Sequence, residues 1–345
     1  MLKTKKILVV GFGRVWKLLC RQLIDTFESI HTSRLELIIL NRTNDLSQLK
    51  YLFKYDSVYW KIDIDISGDS DTIYYKNSSV RFINSPNLEE AFLHQNIDLA
   101  INSTPSKKIA EELWELWKKY SITIFHTNHK KWLKNLVYGV NDNIDWSIKQ
   151  NVTCTICDVS WTAGVIQRIA EEFKINFLSF MSIHPALAYQ NILDKTLDQE
   201  SAHWWVGQHN LSRSFFNNII PKNTTAWKAL EDVVGISLEN KILSYSIRIP
   251  TTSVTMADIV METKNDINKN EVIEALVRLQ NENDSIFLEY DQITSLDIIR
   301  TQYLSVVYMD SLQVLDKHIK MTIFYDNEWW YITNVVRLAW KALFY

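Results

Sequence analysis

Seven glycines in 345 residues are the tightest constraint on this chain. Average usage would supply about 24, so glycine is kept where backbone geometry leaves little choice. Two of the seven stand together in Gly11-Phe12-Gly13, where the short apolar run Lys6-Ile7-Leu8-Val9-Val10 stops. Beyond them Val15, Leu18, Leu19, Leu23 and Ile24 recur at helical spacing. A second apolar run, Leu35 to Leu40, ends at Asn41-Arg42-Thr43. Ile97 to Thr104 then reads as a strand, Ser106 to Lys119 as a helix and Ile122 to Phe125 as a further strand. Strand and helix alternate as a doubly wound parallel sheet requires.

Composition excludes several classes. The chain is 47% hydrophobic and 22% charged, with a net charge of −3. That removes the basic footprint of a general nucleic-acid binder. No apolar run approaches the roughly 18–20 residues of a membrane span. Met1 to Lys6 runs straight into a strand, so no cleavable signal peptide is expected. Cys20, Cys154 and Cys157 are too few for a disulfide framework and fit a reducing compartment. The expectation is a soluble, cytoplasmic protein with no nucleic-acid or membrane partner. The tryptophan pairs Trp204-Trp205 and Trp329-Trp330 suggest flat surfaces buried in a pocket or a subunit contact.

The Gly11-x-Gly13 turn lies where a dinucleotide-binding fold puts its phosphates, after the first strand and at the start of a helix. The first glycine permits the tight turn, and the second lets a pyrophosphate approach the backbone at a helix N-terminus. Trp16 occupies the position of the usual third glycine, so local repacking is expected. At the end of the second strand an acidic residue would mark NAD. Asn41-Arg42-Thr43 stands there instead, and Arg42 could pair with a 2′-phosphate. NADP(H) is therefore favoured, with NAD(H) as the alternative; the bland reading of Arg42 is a solvated strand end.

Cys157 precedes a helix-like run from Ala163 to Phe173, and His184 ends the strand-like run Ile175 to Ile183. A thiol near a helix N-terminus feels the macrodipole, and a Cys/His pair apart in sequence can meet as an activated nucleophile. Read alone, the pair is equally a buried cysteine and a structural histidine. Cys154-x-x-Cys157 has no second cysteine pair or histidine cluster to complete a metal site, so no metal is expected.

Several collinear segments together resemble the glyceraldehyde-3-phosphate dehydrogenase family over nearly the whole chain. Gly11-Phe12-Gly13-Arg14 looks like its GFGRIGR turn, and Leu52-Phe53-Lys54-Tyr55-Asp56-Ser57-Val58 resembles LLKYDSVHG. Tyr138-Gly139-Val140-Asn141 resembles LGVN, Asn218-Ile219-Ile220-Pro221 resembles the start of NIIPTxTG, and Ser246-Ile247-Arg248-Ile249-Pro250-Thr251 resembles FRVPTP. Phe324-Tyr325-Asp326-Asn327-Glu328-Trp329-Trp330-Tyr331 is close to WYDNEWGYS. The resemblance implies an α/β chain with two parts. One is a Rossmann domain over 1–155, with a returning helix at about 332–345. The other is an α+β catalytic domain over 156–331 with a mostly antiparallel sheet. It also implies a homotetramer, and a Cys157 thiolate that attacks an aldehyde with His184 as acid and base. Asn327 would hold the nicotinamide carboxamide, and Ser103 and Thr104 would join Gly11, Phe12, Gly13 and Arg14 around the cofactor.

The departures from the family gather at its anion sites. Ile156 and Asp158 flank the cysteine where hydroxyl residues are usual, and Leu187 replaces a threonine. A carboxylate there repels a phosphate dianion and tends to raise the thiol pKa. Thr224 and Arg248 stand at phosphate-contact positions, Arg213 lies near another, and Thr225 replaces a glycine. The favoured expectation is an oxidoreductase acting on a different small aldehyde or acyl substrate. The alternatives are a non-catalytic homologue kept as a binding or scaffold protein, and ordinary phosphorylating glyceraldehyde-3-phosphate oxidation.

Overall fold

A computed structural model describes residues 3–11, 13–30, 33–41, 45–62, 71–85, 87–93, 96–196, 208–224 and 226–345. The side chains at positions 3, 30, 33, 41 and 84 are outside that description. The chain divides into two compact units, 1–156 with 332–345, and 157–331.

The first unit alternates strand and helix. In order come β1 (Lys3–Val10), α1 (Arg14–Ile30), β2 (Ser33–Asn41), α2 (Leu46–Lys54), β3 (Thr72–Tyr75), β4 (Ser78–Asn84), α3 (Leu88–Leu93), β5 (Leu99–Asn102), α4 (Lys107–Tyr120), β6 (Thr123–His126) and β7 (Asn151–Thr153). The sheet order is β3-β4-β2-β1-β5-β6-β7. Its pairs are parallel except β3 with β4. The chain steps outward from β1 to β2, then returns to place β5 on the other side of β1. The strand order therefore reverses beside Gly11 and Ser103, where open α/β sheets bind ligands. Ile7, Leu8, Val9, Leu37, Ile38 and Ile101 are fully buried, as expected of a sheet covered on both faces.

Trp16 accounts for the missing third glycine. It is 1% exposed and stacks on Phe53 at 6.2 Å, with Phe82 edge-on at 6.3 Å. The packing that a glycine would allow by absence is here made by an aromatic cluster.

Gly11 has φ +104°, and a Cβ placed there would lie 2.3 Å from Thr104 Cγ2 and 3.3 Å from the Ser103 carbonyl carbon. Gly11→Ala is expected to cost about 2–3 kcal/mol through backbone strain and this clash. A lower urea midpoint with an unchanged slope would report it.

The second unit begins with α5 (Cys157–Phe173) and β8 (Ile175–His184), followed by β9 (Ile220–Lys222), α6 (Ala226–Val234), β10 (Ile242–Arg248) and β11 (Thr255–Thr263). Then come α7 (Lys269–Glu282), β12 (Ile286–Glu289), β13 (Ser305–Leu315), β14 (His318–Tyr325) and α8 (Trp329–Phe344). The sheet order is β12-β13-β14-β11-β8-β10-β9. It is mixed and mostly antiparallel, with parallel pairs at β12/β13 and β8/β10. Along β8, Leu178, Phe180, Ser182 and His184 are buried while their alternates are more open, the period-2 pattern of a sheet with one covered face. On the other face of β10, Leu243 and Tyr245 are exposed.

α5 starts six residues before the apolar run that suggested it, and the nucleophile candidate is its first residue rather than a neighbour of the helix. Val159, Ser160, Trp161 and Thr162 are weak helix formers. All four are buried, so packing overrides their local preference. Residues of α8 from Ile332 onward belong to the first unit, where Asn334 Oδ1 accepts the Tyr138 N–H at 2.8 Å. No helix among the described residues is long and apolar enough to cross a membrane.

Candidate active site

The second unit brings Cys157 and His184 together from opposite ends of consecutive elements. Cys157 opens α5, and His184 closes β8 level with Arg248 on β10. Cys157 Sγ lies 3.7 Å from His184 Nε2. His184 Nδ1 is 2.9 Å from the Pro185 carbonyl, which can only accept, so Nδ1 carries the hydrogen and Nε2 is left as the acceptor facing sulfur. The imidazole is thus in the tautomer of a base.

Asp158 is buried beside them. Its Oδ1 accepts the Tyr325 hydroxyl at 2.7 Å and lies 4.0 Å from Cys157 Sγ. Tyr325 is fully buried and stacks on Trp161, one turn along α5, at 5.3 Å. Burial, then the Asp158 charge, pushes the Cys157 thiol up to about 12, while Arg248 and Lys222 pull the other way. Burial, then the Arg248 charge, holds His184 well below the usual imidazole range. The resting pair is therefore thiol and neutral imidazole, not an ion pair.

Asp158→Asn keeps an oxygen for the Tyr325 hydroxyl but removes the nearest negative charge from sulfur. Alkylation of Cys157 by iodoacetamide at fixed pH is expected to accelerate about tenfold. An unchanged rate would contradict this electrostatic assignment.

Arg248 is 5% exposed, and its Nε and Nη1 have no hydrogen-bond partner among the described residues. Such a buried cation is costly unless something anionic meets it. Lys222, a residue the sequence reading passed over, lies on the same strand group. It is 8% exposed, and burial, then the Arg248 charge, lowers it to about 7 against the opposing charges of Asp158 and Cys157. A lysine in an isolated strand reads as surface; only the pairing of β9 with β10 reveals its burial.

The other expected substrate residues are placed differently. Arg213 is mostly exposed and pairs with Asp194 at 2.6 Å, a surface ion pair rather than part of the buried cluster. Thr224 Oγ1 accepts the Ala226 N–H at 3.2 Å at the start of α6. Asn327 Oδ1 is buried with no partner among the described residues, a free acceptor of the kind a carboxamide N–H would fill. Cys157, Asp158 and His184 each offer one ligand atom within 4.8 Å of the others, a donor set that zinc accepts. Arg248 and Lys222 beside them oppose a cation.

In the first unit, the turn residues divide. A Cβ on Gly13 would meet open space, so the backbone there is accessible. Ser103 Oγ donates to the Val10 carbonyl at 3.0 Å, and Thr104 N–H and hydroxyl both donate to Asn102 Oδ1. These contacts fix the loop against Gly11. Arg14 grips Asp56 with two bonds of 2.8 and 3.1 Å, and Lys17 reaches the same carboxylate at 2.6 Å. Although burial opposes it, the Lys17 bond, the Tyr59 and Val58 N–H groups and the Arg14 charge hold Asp56 down to about 2. Arg14 thus organises its own turn through Asp56. Phe12, Arg42, Thr43, the Asn41 side chain and Trp204-Trp205 lie outside the described residues.

Known proteins share this arrangement of domains. The family model "Glyceraldehyde 3-phosphate dehydrogenase, NAD binding domain" matches residues 5–109, and "Glyceraldehyde 3-phosphate dehydrogenase, C-terminal domain" matches 156–327. A glyceraldehyde-3-phosphate dehydrogenase 2 of Bacillus subtilis is 25% identical over 96% of this chain and 95% of its own. The cytosolic glyceraldehyde-3-phosphate dehydrogenase of Pisum sativum is 29% identical over 96% of both chains. A glyceraldehyde-3-phosphate dehydrogenase 2 of Saccharomyces cerevisiae is 27% identical over 97% of this chain and 98% of its own.

Proposed function

We propose that this chain, which belongs to the glyceraldehyde-3-phosphate dehydrogenase family and is an oxidoreductase of it, oxidises a small aldehyde through a thioacyl intermediate on Cys157. The observation that carries the reading is the 3.7 Å approach of Sγ to a His184 Nε2 free to take its proton.

As the aldehyde carbon nears sulfur, His184 Nε2 removes the thiol proton and the S–C bond forms, giving a thiohemiacetal. The proton returns to the former carbonyl oxygen. In the second step Nε2 withdraws that proton again, the C–O bond becomes a carbonyl, and hydride leaves the carbon. A nicotinamide held with its carboxamide on Asn327 would supply the hydride acceptor. What remains is a thioester at Cys157, released by transfer of the acyl group.

Inorganic phosphate is not the acceptor in this reading, because Asp158 stands beside sulfur and repels a dianion. Water, a thiol or an amine takes that role, and the substrate differs from the family's phosphorylated triose. The domain limits proposed are 1–155 with 332–345, and 156–331. The exposed Leu243 and Tyr245 on the uncovered sheet face support a homotetramer, and three free thiols suit a reducing compartment such as the cytoplasm.

NADP(H) is the proposed cofactor, on the strength of Arg42 and its neighbours Asn41 and Thr43 at the end of β2. Arg42→Asp is expected to weaken NADP(H) binding at least about tenfold more than NAD(H) binding in calorimetric titration. Equal loss for both would remove Arg42 from the role.

The function itself is tested by offering the protein aldehydes with an oxidised dinucleotide and following reduced nicotinamide and the mass of Cys157. Reduction with an acyl mass on Cys157 supports it. A dinucleotide bound with no reduction and no adduct for any aldehyde would favour the scaffold reading, which the neutral resting thiol makes the serious alternative.

A further inference from the structure

We infer that Asp158 is a further catalytic residue, the base that takes the proton of a water attacking the acyl group on Cys157, so that the product leaves as a free carboxylic acid. The inference rests on the proposed Cys157 chemistry and chooses water among the acyl acceptors left open there.

Asp158 follows Cys157 at the start of α5, where neighbouring helix residues point about 100° apart and do not face each other. Its Oδ1 nevertheless lies 4.0 Å from Cys157 Sγ, and the same oxygen accepts the Tyr325 hydroxyl at 2.7 Å. Tyr325 closes β14 opposite Thr255 of β11, is fully buried and stacks on Trp161 at 5.3 Å. Trp161 packs in turn against Trp330 at 6.2 Å. Burial keeps the phenol protonated, so it remains the donor. The carboxylate is thus held beside the sulfur from a packed aromatic stack. The family this chain resembles has a hydroxyl residue at this position, so the base belongs to this chain.

The protons require a second base. Hydride transfer ends with a proton on His184 Nε2 and the acyl group on sulfur. Burial and the Asp158 charge push the Cys157 thiol up to about 12, so sulfur leaves poorly as thiolate and departs with a proton. The imidazolium 3.7 Å away carries that proton, and burial makes it a ready donor. His184 is therefore the acid of this step, and the attacking water gives its proton to Asp158. As the water oxygen bonds to the acyl carbon, one of its protons passes to the carboxylate. The C–S bond then breaks, sulfur takes the proton from Nε2, and a carboxylic acid leaves. Asp158 passes its proton to solvent, which restores the resting thiol and neutral imidazole. Nothing is oxidised or reduced. The charge that repels a phosphate dianion is the one that accepts a proton from neutral water.

The test loads an acyl group on the whole protein without hydride chemistry, using p-nitrophenyl acetate. Cys157 displaces p-nitrophenol to give an acetyl thioester, while Cys20 and Cys154 are fully buried. Loading at about pH 9 supplies thiolate, and return to neutrality starts the measurement of release. Absorbance of p-nitrophenolate reads acylation, and the mass of the Cys157 peptide reads hydrolysis. In Asp158→Asn, acylation is expected at least as fast as in the native protein, because a negative charge beside sulfur is gone, while hydrolysis slows about 10²-fold or more. Hydroxylamine, a nucleophile that needs no base, should release the acetyl group from both proteins at equal rates. A merely structural role cannot speed one step and slow the other. Both steps slowed alike, or hydrolysis unchanged, overturns the inference, as does native release that rises in proportion to added inorganic phosphate. If Asp158→Asn does not fold, the native protein still decides it. Its acetyl group should hydrolyse at least about 10²-fold faster than that of the same acetylated peptide after unfolding, and equal lifetimes overturn the inference. Base-dependent release with no aldehyde oxidised would sink the proposed oxidation alone. Aldehyde oxidation with native release from Asp158→Asn would sink this inference alone.

Discussion

His184→Ala is expected to slow aldehyde-dependent hydride transfer by about 10²- to 10⁴-fold, the range for loss of a positioned general base. The size follows from the resting state of the pair. Sulfur holds its proton because burial and Asp158 favour the thiol, so attack on a carbonyl needs a base at the moment of bond formation. His184 is that base by geometry and tautomer, with Nδ1 tied to the Pro185 carbonyl and Nε2 turned to sulfur. Because its pKa lies well below 6.5, the basic form persists through neutrality and is lost only in acid. The rate in the native protein should therefore hold level as pH falls to 6.5 and drop further down. Single-turnover absorbance of reduced nicotinamide against pH measures both effects. A variant within threefold of native would remove His184 from the chemistry.

The second large effect is the inertness of the resting thiol. With its pKa near 12, Cys157 has about 10^3.5-fold less thiolate at pH 7 than an ordinary cysteine at 8.5, and greater intrinsic nucleophilicity returns only about 10^1.5. Iodoacetamide should label it about 10²-fold more slowly than a free thiol. The sign is fixed by the raised pKa: the rate should climb about tenfold per pH unit from 7 to 10 with no plateau. A plateau near neutrality would mean a preformed thiolate–imidazolium pair and would contradict the general-base account. Mass spectrometry of the Cys157 peptide over time separates the two.

How far the primary structure foretold this arrangement varies by element. Gly11 and the apolar runs Lys6–Val10 and Leu35–Leu40 pointed correctly to the parallel sheet, because strands buried on both faces are legible as continuous apolar runs. Cys157 and His184 were legible as a possible pair, with the structural reading equally open; their meeting depends on α5 and β8 lying side by side. The true start of α5 was hidden because Val159, Trp161 and Thr162 favour helix only once buried. Arg14 read as a cofactor contact; its pairing with Asp56, a partner 42 residues away, had no sequence signal. Arg213 read as a substrate contact; in the structure it pairs with Asp194 at the surface. Lys222 stands where NIIPTxTG has threonine, but its burial and the Asp158–Tyr325 bond had no sequence signal, since each follows from strand register and long-range packing. Asn41, Arg42 and Thr43 keep their reading from sequence alone.

The central claim is that Cys157 carries the substrate carbon while hydride leaves it. The most direct measurement is a rapid acid quench of one turnover, with intact-mass and peptide analysis of Cys157 at each time point. The account predicts a thioester on Cys157 that forms together with reduced nicotinamide, is absent from Cys157→Ser and forms slowly in His184→Ala. Reduced nicotinamide formed at the native rate by Cys157→Ser, or formed with no mass on Cys157 at any time, would contradict it.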